Sequence, residues 1–156
     1  MSNPEAPPAG ANDDAKTEDN VEIVLRGPDG KVKQTEKCHN LITTVGRNAI
    51  VDRIDDGTAQ PTHMAIGTGA TAAAAGDTTL QTELDRNALT SRVAATNVLT
   101  MVGDWAAGDG TGAITEAGIL SAASSGTLFS RAVFSVINKA AGDTLQITWT
   151  YTLTVS

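Results

Sequence analysis

The sequence has a single cysteine, Cys38, among its 156 residues. One thiol cannot form an intrachain disulfide, and it cannot supply the several thiolates of a structural zinc site. Secreted domains of this size often carry paired cysteines, so the lack of them favours a reducing place of synthesis. The sequence therefore predicts neither a disulfide within the chain nor a metal bound by thiolates.

Aromatic residues are also scarce, at 3% of the chain, although the hydrophobic fraction is 40%. The core is therefore expected to consist of Val, Ile, Leu and Ala, together with Thr methyl groups. The sequence has no apolar run that approaches the ~18–20 residues of a membrane-spanning helix. Its N-terminus lacks the basic start and the apolar stretch of a signal peptide. We therefore expect a soluble protein that is made in the cytoplasm and has no membrane partner.

Positive charge is in short supply, since 11 Lys and Arg face 18 Asp and Glu for a net charge of −7. Residues 1–20 alone contain five acidic residues and one lysine, which is a net charge of −4. An acidic chain is repelled by the phosphates of nucleic acid and by anionic membrane surfaces. The charge balance therefore argues against nucleic acid as a partner.

The first 20 residues also differ from the rest in composition. They contain Pro4, Pro7 and Pro8 and almost nothing that could form a core, which is typical of a segment that does not fold alone. Two interpretations stay open: a solvated tail, or an arm that becomes ordered on a neighbouring subunit. We accordingly divide the chain into an acidic arm, residues 1–20, and a folded body, residues 21–156.

Short strands are predicted along the body by alternating polar and apolar residues. The first two, 21–26 and 31–36, form a hairpin around a Gly-Pro-Asp-Gly turn, and the second is rich in lysine, as sheet edges often are. Further strand-like segments are 63–66, 89–102, 113–120, 127–136 and 145–155. In the last of these, one face carries Ile147, Trp149, Tyr151, Leu153 and Val155. We predict a mainly β fold: an antiparallel β-sandwich or small barrel with one short helix and an extended N-terminal arm.

The one predicted helix covers residues 44–54. Its apolar stripe at helical spacing consists of Val45, Ala49 and Ile54, with Ile50 and Val51 beside them. Thr43 or Thr44 can cap its start, and Gly57 can end it. We expect this helix to cover one end of the sandwich.

The segment Gly67-Thr68-Gly69 is the nearest approach to a phosphate-binding motif. It lacks the third glycine of a dinucleotide fingerprint and the Gly-Lys-Ser/Thr of a P-loop. It is interpreted instead as a tight turn at the end of a strand, where glycine permits a φ that other residues rarely adopt. The Ala-rich stretch 70–77 that follows is interpreted as a mobile loop.

Histidine and acidic residues do not form any catalytic or metal-binding spacing. His39 and His63 belong to no His-x-x-x-His or Glu-x-x-His motif. Cys38 adjoins His39, but neighbours in a strand point to opposite faces, which separates a nucleophile from its base. The Asp-Gly pairs at 29–30, 56–57 and 109–110 lack the spacing of a calcium loop and are interpreted as turns. We predict no catalytic, cofactor-binding or metal site and expect a protein that is not an enzyme.

Three charged residues lie within apolar stretches: Glu83, Glu116 and Arg131. A buried charge must be paired or must reach solvent along its own stem. Hydrolysis by paired acids needs a second carboxylate, and the sequence places none beside Glu116. We therefore predict a packing ion pair between Glu116 and either Arg131 or Arg86.

From Cys38 onward, the order of segments resembles a family of small virion proteins of tailed bacteriophages. The resemblance covers roughly three quarters of the chain, and the order of its short motifs is more specific than any one of them. The matching segments are 40–43, a helix with Gly46-Arg47 and Ile50-Val51, 64–69, 79–86, 114–120, 127–131, and 142–145 with Trp149.

This resemblance implies a structural virion protein, of the tail-fibre-like or accessory type, with no catalytic residues. The chain has no shaft repeats, heptads or collagen-like period, so a capsid decoration protein on the particle surface is favoured over a tail-tip or tail-fibre component. A carbohydrate-binding adhesion module is a further alternative. We expect partners to be copies of the chain itself, as a homotrimer, and the major capsid or tail protein of the virion.

Overall fold

Along each extended segment the side chains point alternately to one face and the other, and the strands pair into two antiparallel sheets. A computed structural model describes residues 20–154, so the predicted acidic arm lies outside the described residues except for Asn20. The strands in chain order are β1 (Val21–Arg26), β2 (Val32–Cys38), β3 (Leu41–Ile42), β4 (His63–Gly67), β5 (Glu83–Ala88), β6 (Ser91–Ala95), β7 (Val98–Trp105), β8 (Gly112–Leu120), β9 (Leu128–Lys139) and β10 (Thr144–Thr152). Helix α1 (Thr44–Asp55) follows β3.

The two sheets have five strands each and pack as a sandwich, which confirms the predicted fold class. One sheet has the order β2-β1-β10-β7-β6, and the other has the order β3-β9-β8-β4-β5. The lysine-rich strand β2 lies at a sheet edge, as its composition predicts.

The inner faces of both sheets supply one main core. The first sheet contributes Ile23, Ile147 and Trp149, and the second contributes Met64 and Ile119, all of them fully buried. Because successive residues of a strand point to opposite faces, β1 and β10 of the first sheet bury alternate side chains. Strands β4, β8 and β9 of the second sheet bury residues on both faces.

Strand β10 lies inside its sheet, between β1 and β7. Leu145, Ile147 and Trp149 are buried on its inner face, and Tyr151 is partly buried. The predicted length is wrong at the end, because the strand stops at Thr152 and Leu153 is exposed. The register with β7 ends at the pair Thr152 and Val98, and beyond it the Leu153 amide donates to the Asn97 carbonyl oxygen at 2.9 Å.

Two further differences concern strand boundaries. The segment predicted as one strand over 89–102 is a hairpin, in which β6 pairs with β7 across a turn where Thr96 adopts a φ of 53°. Strand β5 was not predicted, because its sequence Glu-Leu-Asp-Arg-Asn-Ala does not alternate cleanly. It nevertheless forms the edge of the second sheet beside β4.

Helix α1 begins at Thr44 as predicted and ends at Asp55, one residue beyond the predicted end, and only Ala49 of its predicted apolar stripe is buried. The Thr43 hydroxyl oxygen accepts a hydrogen bond from the Gly46 amide at 3.0 Å and caps the start, while Gly57 follows the last turn. The buried helix residues are Gly46 and Ala49. A Cβ at Gly46 would overlap the backbone of Phe129 in β9, so the helix approaches the sheet through its smallest residues.

The larger apolar residues of the predicted stripe are therefore exposed. They are Val45, Ile50, Val51 and Ile54. At 12 residues and with four charged side chains, this helix is too short and too polar to cross a membrane, and residues 20–154 contain no helix that could.

Removing the Trp149 side chain tests the position of β10 in the core. Trp149→Ala should lower the free energy of unfolding by about 3–5 kcal/mol, because a large, fully buried ring leaves a cavity. Trp149→Phe should cost less, since the indole N–H has no hydrogen-bond partner within residues 20–154. Thr150→Ala, on the outer face, is the control with a small loss. Denaturant unfolding measures all three, and equal losses for Trp149→Ala and Thr150→Ala would contradict the assigned faces.

Candidate functional site

A carboxylate and a guanidinium are buried together between the neighbouring strands β8 and β9. Glu116 is 0% exposed and Arg131 is 2% exposed, and Arg131 Nε donates to Glu116 Oε2 at 2.8 Å. The register pairs Arg131 with Gly118, two residues along β8 from Glu116, so the side chains of Glu116 and Arg131 lie on the same face of the sheet. The predicted ion pair between Glu116 and Arg131 is confirmed.

The Glu116 carboxylate also accepts three hydrogen bonds from backbone amides. Gly69 and Thr82 donate to Oε1 at 3.0 and 2.7 Å, and Gln81 donates to Oε2 at 2.9 Å. These amides lie at the two ends of the long connection between β4 and β5, residues 68–82, which we call the 68–82 loop. One buried carboxylate therefore holds both ends of this loop.

Arg131 holds the middle of the same loop. Its Nη1 donates to Asp77 Oδ2 at 3.0 Å, and its Nη2 donates to the Thr71 carbonyl oxygen at 2.9 Å. Asp77 Oδ2 additionally accepts from the Ala74 amide at 2.9 Å. The sequence interpretation of 70–77 as a mobile loop missed these bonds, because nothing in an alanine-rich stretch indicates a distant arginine. Asp77 is also the second carboxylate that the sequence did not place near Glu116.

The two glycines of Gly67-Thr68-Gly69 are required by the close approach of Glu116. A Cβ at either Gly67 or Gly69 would lie 2.6 Å from Glu116 Oε1. Neither glycine has the positive φ that the sequence interpretation assumed. The Gly69 amide is occupied by the carboxylate, so this segment is not arranged to bind a phosphate.

The hydrogen bonds determine the ionisation of Glu116. Burial by itself would raise the pKa of this carboxyl, but the donors from Thr82, Gln81 and Arg131 outweigh burial and lower the pKa below its usual value. The carboxylate is thus held ionised with both oxygens occupied and no exposed surface. A general acid or base must reach the substrate proton directly or through one water, and Glu116 offers no such access. It acts as a structural anchor for the loop.

Arg86, the other candidate partner of Glu116, pairs elsewhere. Its Nη2 and Nε donate to the two carboxylate oxygens of Glu83 at 2.6 and 2.9 Å. Its Nη1 donates to the carbonyl oxygens of Ala122 and Ser125. This second pair is partly exposed, at the edge strand β5, and it connects that edge to the turn after β8.

Sequence reasoning missed a buried lysine and aspartate near the end of β9. Lys139 donates to the Ala106 carbonyl oxygen at 3.0 Å, and burial lowers its pKa. Asp143 accepts from Lys33 Nζ at 2.8 Å and from the Ala140 amide at 2.9 Å, and the bond from Lys33 lowers the pKa of Asp143. The pair Gly142-Asp143 was recognised only as a turn signal, and the alternation along β9 gives no sign that Lys139 points inward.

The remaining candidate residues lie apart from these clusters. His63 is partly buried beside the Thr62 hydroxyl, and His39 is exposed after β2. The Asp-Gly pairs lie at turns, where Gly30 and Gly110 have φ of 79° and 60° and Asp56 caps the C-terminus of α1. Among residues 20–154, the His, Cys, Asp and Glu side chains form no group of three that could hold a metal ion.

The exposed apolar residues of α1 form the second candidate site. Ile54 is 84% exposed and Val51 is 60% exposed, which is unusual for β-branched residues in a well-packed helix. Leu41 and Ile42, in the sheet-edge strand directly before the helix, are also exposed. We call the side of the helix that carries Ile50, Val51 and Ile54, together with the exposed charges Arg47 and Asp55, the outer face of α1.

Replacing Glu116 tests its role as the loop anchor. Glu116→Gln should lower the free energy of unfolding by about 3–5 kcal/mol, because Arg131 loses its buried counter-charge and an amide NH₂ is forced against backbone donors. Glu83→Gln is the matched control, since it removes a partly exposed Glu–Arg pair and should cost under about 1 kcal/mol. Chemical denaturation gives both values, and a loss at Glu116 no larger than at Glu83 would contradict the anchor role.

The lowered pKa of Glu116 also predicts a pH dependence. A carboxyl whose pKa is depressed by folding stabilises the protein above its unfolded pKa, about 4.3 for Glu, and this contribution is lost as the pH falls toward the folded pKa. The stability difference between the wild type and Glu116→Gln should therefore be constant near neutral pH and shrink below about pH 4.3. Unfolding curves from pH 7 to 3 measure it. A difference that stays constant throughout that range would contradict the lowered pKa.

Protein-family models, curated proteins and solved structures were compared with the chain, and none of them matches it. Function therefore has to be inferred from the chain's own surface and buried groups. The two features that carry information are the buried anchor of the 68–82 loop and the outer face of α1.

Proposed function

We propose that the protein is a non-enzymatic structural component of a tailed-bacteriophage virion and acts as a capsid decoration protein on the particle surface. The observation that carries the proposal is the outer face of α1, where Val51 and Ile54 are exposed on the helix that follows the edge strand β3, whose Leu41 and Ile42 are exposed as well. The order of sequence segments, which resembles small phage virion proteins, supplies the virion context. The protein would be made in the host cytoplasm and would function on the particle.

Exposed branched residues favour a protein that works by packing against neighbours. Each Å² of apolar surface removed from water contributes roughly 25 cal/mol, so a partner that covers these side chains gains most from the largest and most exposed ones. Contiguous exposed apolar surface is typical of interaction sites. We expect the partners to be copies of this chain and the major capsid or tail protein.

The interior favours a rigid body that presents this surface. The 68–82 loop is the longest connection in the described part. Three of its backbone amides donate to Glu116, Arg131 donates to its Thr71 carbonyl oxygen, and Asp77 forms an ion pair with Arg131. A surface that does not have to be ordered on binding loses less conformational entropy. A rigid binding surface of this kind suits a protein that binds at many equivalent positions on a repeating lattice.

The tail-tip or tail-fibre alternative uses the same surface and differs only in location on the particle. The carbohydrate-binding alternative is disfavoured by the positions of the aromatic rings. Both Trp and both Phe residues are buried, and Tyr151 is partly buried with its hydroxyl against Ser130. Since the chain has only these five aromatic residues, it has no exposed ring on which a sugar could stack.

Reconstitution on particles tests the proposed function. Particles from a phage that lacks the gene should bind the purified chain saturably, and electron microscopy should show the added density on the capsid surface. Ovalbumin, an unrelated acidic protein, is the control for charge-driven adsorption. Density confined to the tail would contradict the capsid-decoration role and support the tail-tip or tail-fibre alternative. A wild-type particle that contains none of this chain by mass spectrometry would contradict a virion role.

A further inference from the structure

We infer that the outer face of α1 is one half of a two-fold dimer interface, in which it packs antiparallel against the same face of a second copy of this chain with Val51 at the axis. The inference deepens the proposed function and rests on it only in taking the protein to act by assembly. It names a second copy of the chain as the occupant of the exposed face.

The geometry of the helix places a charged-apolar-charged line opposite its buried side. Residues four apart lie on the same face of an α-helix. Arg47, Val51 and Asp55 therefore form one line, and all three are exposed. Gly46 and Ala49, which contact the body, lie on the other side of the helix. Ile50 and Ile54 form a second, apolar line next to the first.

The charge pattern of this line is complementary to itself when reversed. Arg47 and Asp55 each lie four residues from Val51, in opposite directions. In an antiparallel contact centred on Val51, Arg47 of each copy lies against Asp55 of the other, so the symmetry creates two equal pairs. A parallel contact in the same register would place like charges opposite one another, which disfavours that alternative.

The same two charges are placed unfavourably for an isolated helix. A helix N-terminus favours anions and its C-terminus favours cations. Here a cation, Arg47, lies near the start, where the first turn has no acidic residue, and an anion, Asp55, is the last residue. Neither side chain forms an ion pair with any residue in 20–154. An antiparallel second copy brings Asp55 to the start of the opposing helix and Arg47 to its end, so the dimer reverses both unfavourable placements.

Charge reversal in the full chain tests the pairing. The wild type should sediment as a dimer at micromolar to tens of micromolar concentration. Arg47→Asp should weaken the dimer about tenfold or more, because two attractive contacts become repulsive. The double variant Arg47→Asp with Asp55→Arg should restore association to near the wild-type level. Lys31→Glu, on the exposed turn between β1 and β2, changes the charge equally and should have no effect.

A cross-link tests the axis without relying on charge. Helices packed about 8–10 Å apart bring Cα atoms on the two-fold axis within the range of a disulfide. In a Cys38→Ser background, Val51→Cys should therefore form a covalent dimer on mild oxidation. Val93→Cys is the matched control, because Val93 is 58% exposed, close to the 60% of Val51, but lies on β6. It should remain uncross-linked at the same protein concentration.

These results separate the dimer from the other arrangements. A protein that stays monomeric up to about 100 µM, where contacts weaker than roughly −5.5 kcal/mol are not populated, would overturn the inference. So would a trimer, as the resemblance implies, or any oligomer whose mass is unchanged by Arg47→Asp. Circular dichroism and the melting temperature of each variant verify that it is folded. If a charge variant does not fold, the cross-linking of Val51→Cys alone tests whether the dimer forms. Because all of this is measured on the isolated chain, its failure leaves the particle-binding experiment to judge the proposed function independently.

Discussion

The buried pair of Glu116 and Arg131 is the interaction on which the arrangement of the second sheet depends. Taking two charges out of water is costly, and such a pair is tolerated only when its remaining hydrogen-bonding positions are occupied. Here the occupants are the backbone groups of the 68–82 loop and Asp77. The loop and the ion pair therefore depend on each other. Without the pair, the loop amides lose their hydrogen-bond acceptor, and without the loop, the buried charges lose part of their hydrogen bonds.

The same loop positions the start of α1. The Ala75 carbonyl oxygen accepts a hydrogen bond from the Thr44 amide at 2.8 Å, in the first turn of the helix. The Thr43 amide donates to the Phe129 carbonyl oxygen of β9 at 3.0 Å. A continuous series of contacts thus leads from Glu116, through Arg131 and the loop, to the helix whose outer face is exposed. Disturbing the buried charges would alter the surface that the protein presents, even though the two are not in contact.

The sequence could predict those features that depend on local alternation or on the cost of a buried charge. Strand β10 and the pairing of Glu116 with Arg131 follow from such rules. The loop bonds could not be predicted, because backbone amides are present at every residue and leave no signature of which ones a distant carboxylate will bind. The face of α1 was predicted wrongly for a different reason. Hydrophobicity ranks Val and Ile as the residues to bury, whereas close approach to the Phe129 backbone selects Gly46, and Ala49 is the other buried residue of the helix.

In α1, therefore, the residues that attach the helix to the body differ from the large apolar residues that remain exposed. In most helices the large apolar residues stabilise the fold, so none are left for a partner. In α1 the attachment to the body relies on small residues, the Thr43 cap and the loop, which leaves Val51 and Ile54 outside. Under the proposed dimer, substitutions at the outer face should change association with little effect on folding, and substitutions in the buried cluster should change folding first. The folded state of the chain therefore does not depend on a partner to cover the helix.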